Sequence, residues 1–342
     1  MLSKKLLGGK SGAAPYSGDI AVGHVTSPYI SVYPWSSSGF GTKYANPATL
    51  PTFTGTAVAF SPDGANIAVG SGNSVRFAVY PWSSGSGFGT KYADPSTLPT
   101  GNVYGIAFSP DGADIAAAHS LSPFISVYPW SSGFGTKYAN PATGVTATTG
   151  VAFSPDGADI AVTTTSTPRI HAYPWSSGFG TKYANPSTLP PAASFGVAFS
   201  PDGADIVVAH DSSPGISAYP WSSGFGTKYA DPSTPSGGSG NGVAFSPDGS
   251  DVAVAHGSAP DHCAVYQWSS GFGTKYAGPS TPPTGDGNGV AFSPDGAAIA
   301  IAHNFSPFIS VYPWSSSGFG TKYTDPATLP ASDAKCVAFL PA

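Results

Sequence analysis

The sequence predicts an all-β chain, a seven-bladed β-propeller of four-stranded blades whose C-terminal strand completes the N-terminal blade. Three observations carry this. Seven tryptophans, Trp35, Trp82, Trp130, Trp175, Trp221, Trp268 and Trp314, are spaced by 47, 48, 45, 46, 47 and 46 residues, and a period in the forties is the length of one such blade. Each opens the same unit, Trp-Ser-Ser, a Gly-rich stretch and Gly-Thr-Lys-Tyr. Gly 44 and Pro 35 make up nearly a quarter of 342 residues; in a periodic chain that composition reads as turn-rich β structure rather than disorder.

The third copy shows one blade. Gly-Ile-Ala-Phe (105–108) is a short apolar inner strand. Ser109-Pro110-Asp111-Gly112 follows as a turn, with Pro suited to the second position and Gly to positive φ. Asp114 to His119 is the second strand, Phe124 to Trp130 the third, and a Gly-rich turn leads to an outer strand around Tyr138. Alternation places Ile125 and Val127 on one face and Tyr128 and Trp130 on the other. Both faces are apolar, as for a sheet sandwiched between neighbours. A proline ends each outer strand (Pro47, Pro95, Pro141, Pro186, Pro232, Pro279, Pro326), where a missing N–H blunts an exposed edge.

The ends predict closure. The first copy lacks the inner strand and begins at Asp19-Ile20-Ala21-Val22; the missing strand recurs as Cys336-Val337-Ala338-Phe339 at the other terminus. Residues 18–342 therefore form the propeller and 1–17 an N-terminal tail. Leu2, Lys4, Lys5, Leu6 and Leu7 of that tail are candidates for an assembly anchor, the alternative being a frayed end.

Val-Ala-Phe-Ser-Pro-Asp-Gly, an Ile-Ala-Val strand and a strand ending in Trp resemble the WD-repeat propellers and their Ser-Pro-Asp-Gly relatives over residues 18–342. Trp is followed by Ser rather than Asp and no Gly-His pair precedes the inner strand, so the hydrogen-bonded tetrad of that family is incomplete. The near-identical copies and the Leu-Leu-Gly-Gly start also resemble propeller-repeat proteins of tailed bacteriophages. That resemblance implies a virion component, made in the host cytoplasm, for assembly or host attachment. Its partners would be other virion proteins and a surface glycan or receptor. A bacterial lectin-like or scaffolding propeller is the alternative.

Charged residues are 9% of the chain, there is no glutamate, and Arg76 and Arg169 are the two arginines. A formal charge of −5 opposes nucleic-acid binding, which needs a basic stripe, and no apolar run is long enough for membrane insertion. Cys263 and Cys336 occupy unrelated repeat positions in different blades, which argues against a disulfide.

Copy-to-copy variation concentrates on one rim, in the second-to-third-strand loops and the blade connections; the Ser-Pro-Asp-Gly rim is nearly constant. The varying rim is either unconstrained or a binding face. On the second reading the residues unique to one copy, Arg76, Tyr104, Arg169, His171, Phe195, Asp211, Asp261, His262 and Phe305, are the candidates for partner binding. The constant rim repeats Phe40 and Lys43 in every copy, which is either self-packing or a ring of weak glycan sites acting by avidity. The recurring histidines His24, His119, His210, His256 and His303 sit on a ring too wide for one zinc ion and read as structural. No catalytic, cofactor or metal residues are expected. A lactonase-like enzyme would need distinctive acidic or metal-binding residues converging on the axis, so the expectation is a non-enzymatic protein.

Overall fold

The computed structural model describes residues 16–72, 77–258 and 260–342. The tail residues Leu2, Lys4, Lys5, Leu6 and Leu7, and Arg76, lie outside them. Seven antiparallel sheets follow one another round a ring, each ordered inner, second, third and, where present, outer strand. Blade 1 is composite: Ala334–Phe339 pairs with Gly18–His24, aligning Val337 with Val22 and Phe339 with Ile20.

Period-two alternation explains how the ring is filled. In the second strand of blade 3, Asp114–His119, Ile115 and Ala117 pack toward blade 2 with Phe77, Tyr128 and Trp130. Ala116 and Ala118 turn the other way, toward Val151, Ile160 and Trp175 of blade 4. Each strand thus feeds two cores, and seven such clusters occupy the seven junctions. This is why the second strands are buried on both faces.

A polar joint accompanies each of five junctions. The aspartate that opens the second strand accepts from the tyrosine of its own blade's outer segment and from the tryptophan of the next blade. Asp114 takes Tyr138 Oη at 2.9 Å and Trp175 Nε1 at 2.9 Å; Asp19, Asp159, Asp205 and Asp251 repeat the arrangement. The same tyrosine meets the tryptophan edge to face, Tyr138 and Trp175 at 5.2 Å. The joint braces blades in a chain that lacks the Trp-Asp and Gly-His pairs of the WD pattern. Blade 2 has Asn66 at this position, bonded to Tyr92, and blade 7 has Ala298.

The outer strand is shorter than the sequence suggests. It is two residues in blades 1, 2 and 7 and a single Trp–Phe bridge in blades 3, 4 and 5. Beyond it the chain keeps contact through isolated bonds, as from Tyr138 N to the Val127 carbonyl. The third strand carries a proline at the facing position, which has no N–H to offer, and Gly135 sits so close over Pro129 that a Cβ there would lie 2.9 Å from the ring. Blade 6, with Gln267 in place of that proline, has a four-residue outer strand, Phe272–Lys275. The expected edge prolines are likewise not exposed: Pro47, Pro95, Pro141, Pro186, Pro232, Pro279 and Pro326 are buried, outside any strand. Two residues beyond each of the seven, a threonine carbonyl accepts the third-strand tyrosine hydroxyl of the next blade, as Thr97 accepts Tyr128.

The repeated phenylalanines and lysines are occupied locally. Phe134 packs edge to face on Trp130 of its own blade, as Phe40 does on Trp35. Lys43, Lys91, Lys137, Lys182, Lys228 and Lys322 each bond the Asn or Asp three residues on. His24, His119, His210 and His303 bond through Nε2 to a third-strand serine at 3.0–3.1 Å. His256 meets Ala264 there instead, and its Nε2 has no partner.

Burial holds His24, His171, His256 and His303 down to about 4, well below the ordinary imidazole value. Between pH 6.5 and about 4 the unfolded chain therefore binds more protons than the ring, and stability falls as pH is lowered. The urea midpoint is expected to decline steadily from pH 6.5 to pH 4; a flat midpoint over that range would contradict the burial assigned to these rings.

Candidate active site at the axial channel

The seven inner strands surround an axial channel of about 680 Å³. Its lining begins with an irregularity shared by every blade. In blade 3, Val103 pairs with His119 and Gly105 with Ala118, so Tyr104 is an extra residue between them. The same shift leaves Thr56, Thr149, Asn241 and Asn288 unpaired in blades 2, 4, 6 and 7, and Phe195 within the shifted stretch of blade 5. Lys335 has this position in blade 1. A bulge of this kind re-aims the extra side chain, and all seven line the channel. Below them Val58, Ile106, Val151, Val197, Val243, Val290 and Val337 form an aliphatic ring. Close approach of the bulges requires small neighbours: a Cβ on Gly242 would lie 3.1 Å from Gly289 Cα.

The bulged ring differs in every sense from the repeat around it. Blades that share Val-Ala-Phe-Ser-Pro-Asp-Gly nearly unchanged present five residue types here: Lys, Thr, Tyr, Phe and Asn. Four of the seven brace the ring itself. Thr56, Thr149, Asn241 and Asn288 each donate to the first inner-strand carbonyl of the next blade, those of Val103, Ser194, Gly287 and Ala334. That leaves Tyr104, Phe195 and Lys335 uncommitted to a neighbouring strand. Tyr104 is 41% exposed and its hydroxyl accepts from Asn102 Nδ2 at 3.3 Å. Lys335 is the one cation in the lining among the described residues, and no carboxylate or imidazole accompanies it.

Of the candidates read from the sequence, Tyr104 and Phe195 come together at this ring. The other described candidates are dispersed over the second-to-third-strand loops and their neighbours. Arg169 has φ 76° and turns its guanidinium back to the Thr165 carbonyl of its own loop. His171 is buried in the third strand of blade 4 with neither ring nitrogen bonded. Asp211 accepts from Ser239. Asp261 lies 3.6 Å from Lys275, and His262 lies 3.8 Å from Asp286. Phe305 is 61% exposed on blade 7. The loops around them vary in sequence over a common frame: blades 1, 3, 4, 5 and 7 share a cis Ser/Thr-Pro bond followed by a positive-φ residue. Lys335, Thr56, Thr149, Asn241 and Asn288 were not among the sequence candidates. The signal was present as a variable column two residues before each Val-Ala-Phe or its equivalent, just outside the expected strand.

Comparisons with known proteins place this geometry. The model of the WD domain, G-beta repeat, matches residues 51–77. No curated protein matches the chain. Among solved structures, a candidate 6-phosphogluconolactonase of Bacteroides fragilis superposes with a TM-score of 0.76 at 14% identity, covering 94% of this chain and 98% of that one. A second, of Bacteroides uniformis, gives 0.71 at 18%, covering 94% and 99%. The periplasmic gluconolactonase PpgL of Pseudomonas aeruginosa gives 0.72 at 16%, covering 95% and 99%. At these identities the likeness establishes the fold. The names run against the expectation of a non-enzymatic virion protein or lectin-like scaffold: three neighbours that span the whole ring are named as lactonases, two of them as candidates. The chain is a seven-bladed β-propeller with a WD-type repeat match in its second blade.

Proposed function

We propose that the chain is a lactone hydrolase whose substrate enters the axial channel. The observation that carries the reading is the bulged ring: an inner-strand position at which the copies diverge lines the axial channel, with Lys335 and Tyr104 among its side chains. The names of the neighbouring structures supply the reaction class. Water adds to the lactone carbonyl carbon, the ring C–O bond breaks, and a proton from the water ends on the released oxygen to give the hydroxy acid. Negative charge develops on the carbonyl oxygen, and the Lys335 ammonium is the donor available to receive it.

The test is acid release from glucono-1,5-lactone and from an aryl lactone such as phthalide, followed in a pH-stat against the spontaneous rate. Lys335→Ala is expected to lower the enzymatic rate constant at least a hundredfold, as loss of an oxyanion donor does, and Tyr104→Phe less. Wild-type protein that never exceeds the spontaneous rate with either lactone would refute the proposal.

A further inference from the structure

Resting on that reading of the channel, we infer that its substrate is a flat, largely apolar lactone rather than a polyhydroxylated sugar lactone. The polarity of the lining carries this. A sugar ring presents a hydroxyl on almost every carbon, and each needs a partner once water is displaced. The channel has few donors to give. The hydroxyls of Thr56 and Thr149 and one N–H of each of the Asn241 and Asn288 amides already donate to the carbonyls of adjoining inner strands, which leaves a ligand the second N–H and the Oδ1 of each asparagine and the Thr165 side chain. Diverting the four bonded donors to meet a sugar would unfasten the ring at four junctions.

What remains is arranged unevenly around the axis. Tyr104 and Phe195, in blades 3 and 5, put two aromatic side chains on one arc; Lys335, in blade 1, sits across from them beside the amides of blades 6 and 7. Inward of both arcs lies the ring of six valines and Ile106. A ligand that fits has a planar apolar body for the aromatic arc and the aliphatic ring, and a single carbonyl or carboxylate directed at Lys335. An aryl-fused lactone and its ring-opened hydroxy acid have that form.

The inference is tested by binding alone, with the full chain and no turnover. Titration calorimetry with 2-(hydroxymethyl)benzoate, the ring-opened form of phthalide, is expected to give a measurable dissociation constant, and gluconate none at the same concentrations. Phe195→Leu and Tyr104→Ala should each weaken the aryl acid several-fold, and Lys335→Gln about tenfold, with unchanged far-ultraviolet spectra and melting temperatures showing that the variants fold. Gluconate binding as tightly as the aryl acid, no binding of the aryl acid, or binding indifferent to both aromatic substitutions would each overturn it. The two proposals fail separately. Aryl-acid binding with the expected variant pattern but no hydrolysis of phthalide removes the hydrolase and keeps the ligand class. Hydrolysis of gluconolactone without aryl binding does the reverse.

Discussion

Ending the chain at Asp333 is expected to abolish the folded monomer. The six residues Ala334–Phe339 are the inner strand of blade 1, hydrogen-bonded to Gly18–His24. Their loss exposes the second strand of that blade along its full length and opens the cluster shared by blades 7 and 1, in which Val337 and Phe339 sit against Ile20, Val22 and Trp35. Burial of those two side chains alone is worth about 4 kcal/mol, a large share of the roughly 5–15 kcal/mol that holds an ordinary domain folded. An unpaired strand at the gap also invites association between molecules. Size-exclusion chromatography and near-ultraviolet circular dichroism on the truncated chain would check this. A soluble monomer with native melting behaviour would mean that the ring does not depend on its terminal strand. Lys335 is lost with the same segment, so the truncated chain should also lack any channel activity.

Asp205→Ala is the second large effect. Asp205 is 5% exposed and accepts Tyr229 Oη at 2.7 Å and Trp268 Nε1 at 3.0 Å. Alanine leaves both donors unpaired within the junction between blades 5 and 6, and bonds to a charged acceptor are worth about 1.5–3 kcal/mol each. A loss of about 3–5 kcal/mol is expected, read as a lower urea midpoint at unchanged slope. Asp205→Asn keeps one acceptor, as Asn66 does naturally for Tyr92, and should cost about half as much. Equal stability of the alanine variant and the wild type would show that the joint is incidental to apolar packing.

The ring was legible because its information is local and repeated. Seven tryptophans at a near-constant spacing set the blade count, and Cys336-Val337-Ala338-Phe339 could be matched by eye to the inner strand absent from the first copy. The second strand of blade 3 begins and ends where alternation places it, at Asp114 and His119. The outer strand was overestimated because a proline on its partner removes a donor without disturbing the apolar pattern. The polar joint was missed for a different reason. Asp114 follows the turn residue Asp111 by three positions, and nothing in a one-dimensional pattern says that its second oxygen reaches a tryptophan 61 residues away.

The candidate site was only half legible. Tyr104 and Phe195 stand out as aromatic residues unique to their copies, but Thr56, Asn241 and Lys335 do not. An extra residue in a strand has no signature in a period of two, so the column to which all seven belong was read as the end of a connection. The expectation of a non-enzymatic protein rested on the same ground: acidic or metal-binding residues were sought on the axis, whereas the residues that converge there include an ammonium, a phenol and a phenyl ring.

The polar joint bears on how such a chain can change. Blades 4, 5 and 6 use both halves of it, a tryptophan reaching backward and an aspartate and tyrosine reaching forward, and blades 1 and 3 carry the same residues, so most copies could succeed one another in any sequence. The order of the units then holds little folding information. It does decide which bulged side chains stand opposite each other across the axis. Exchange of whole units between similar positions in the gene would leave the disc intact while redrawing the mouth of its channel, a route to new ligands that requires no change in the scaffold.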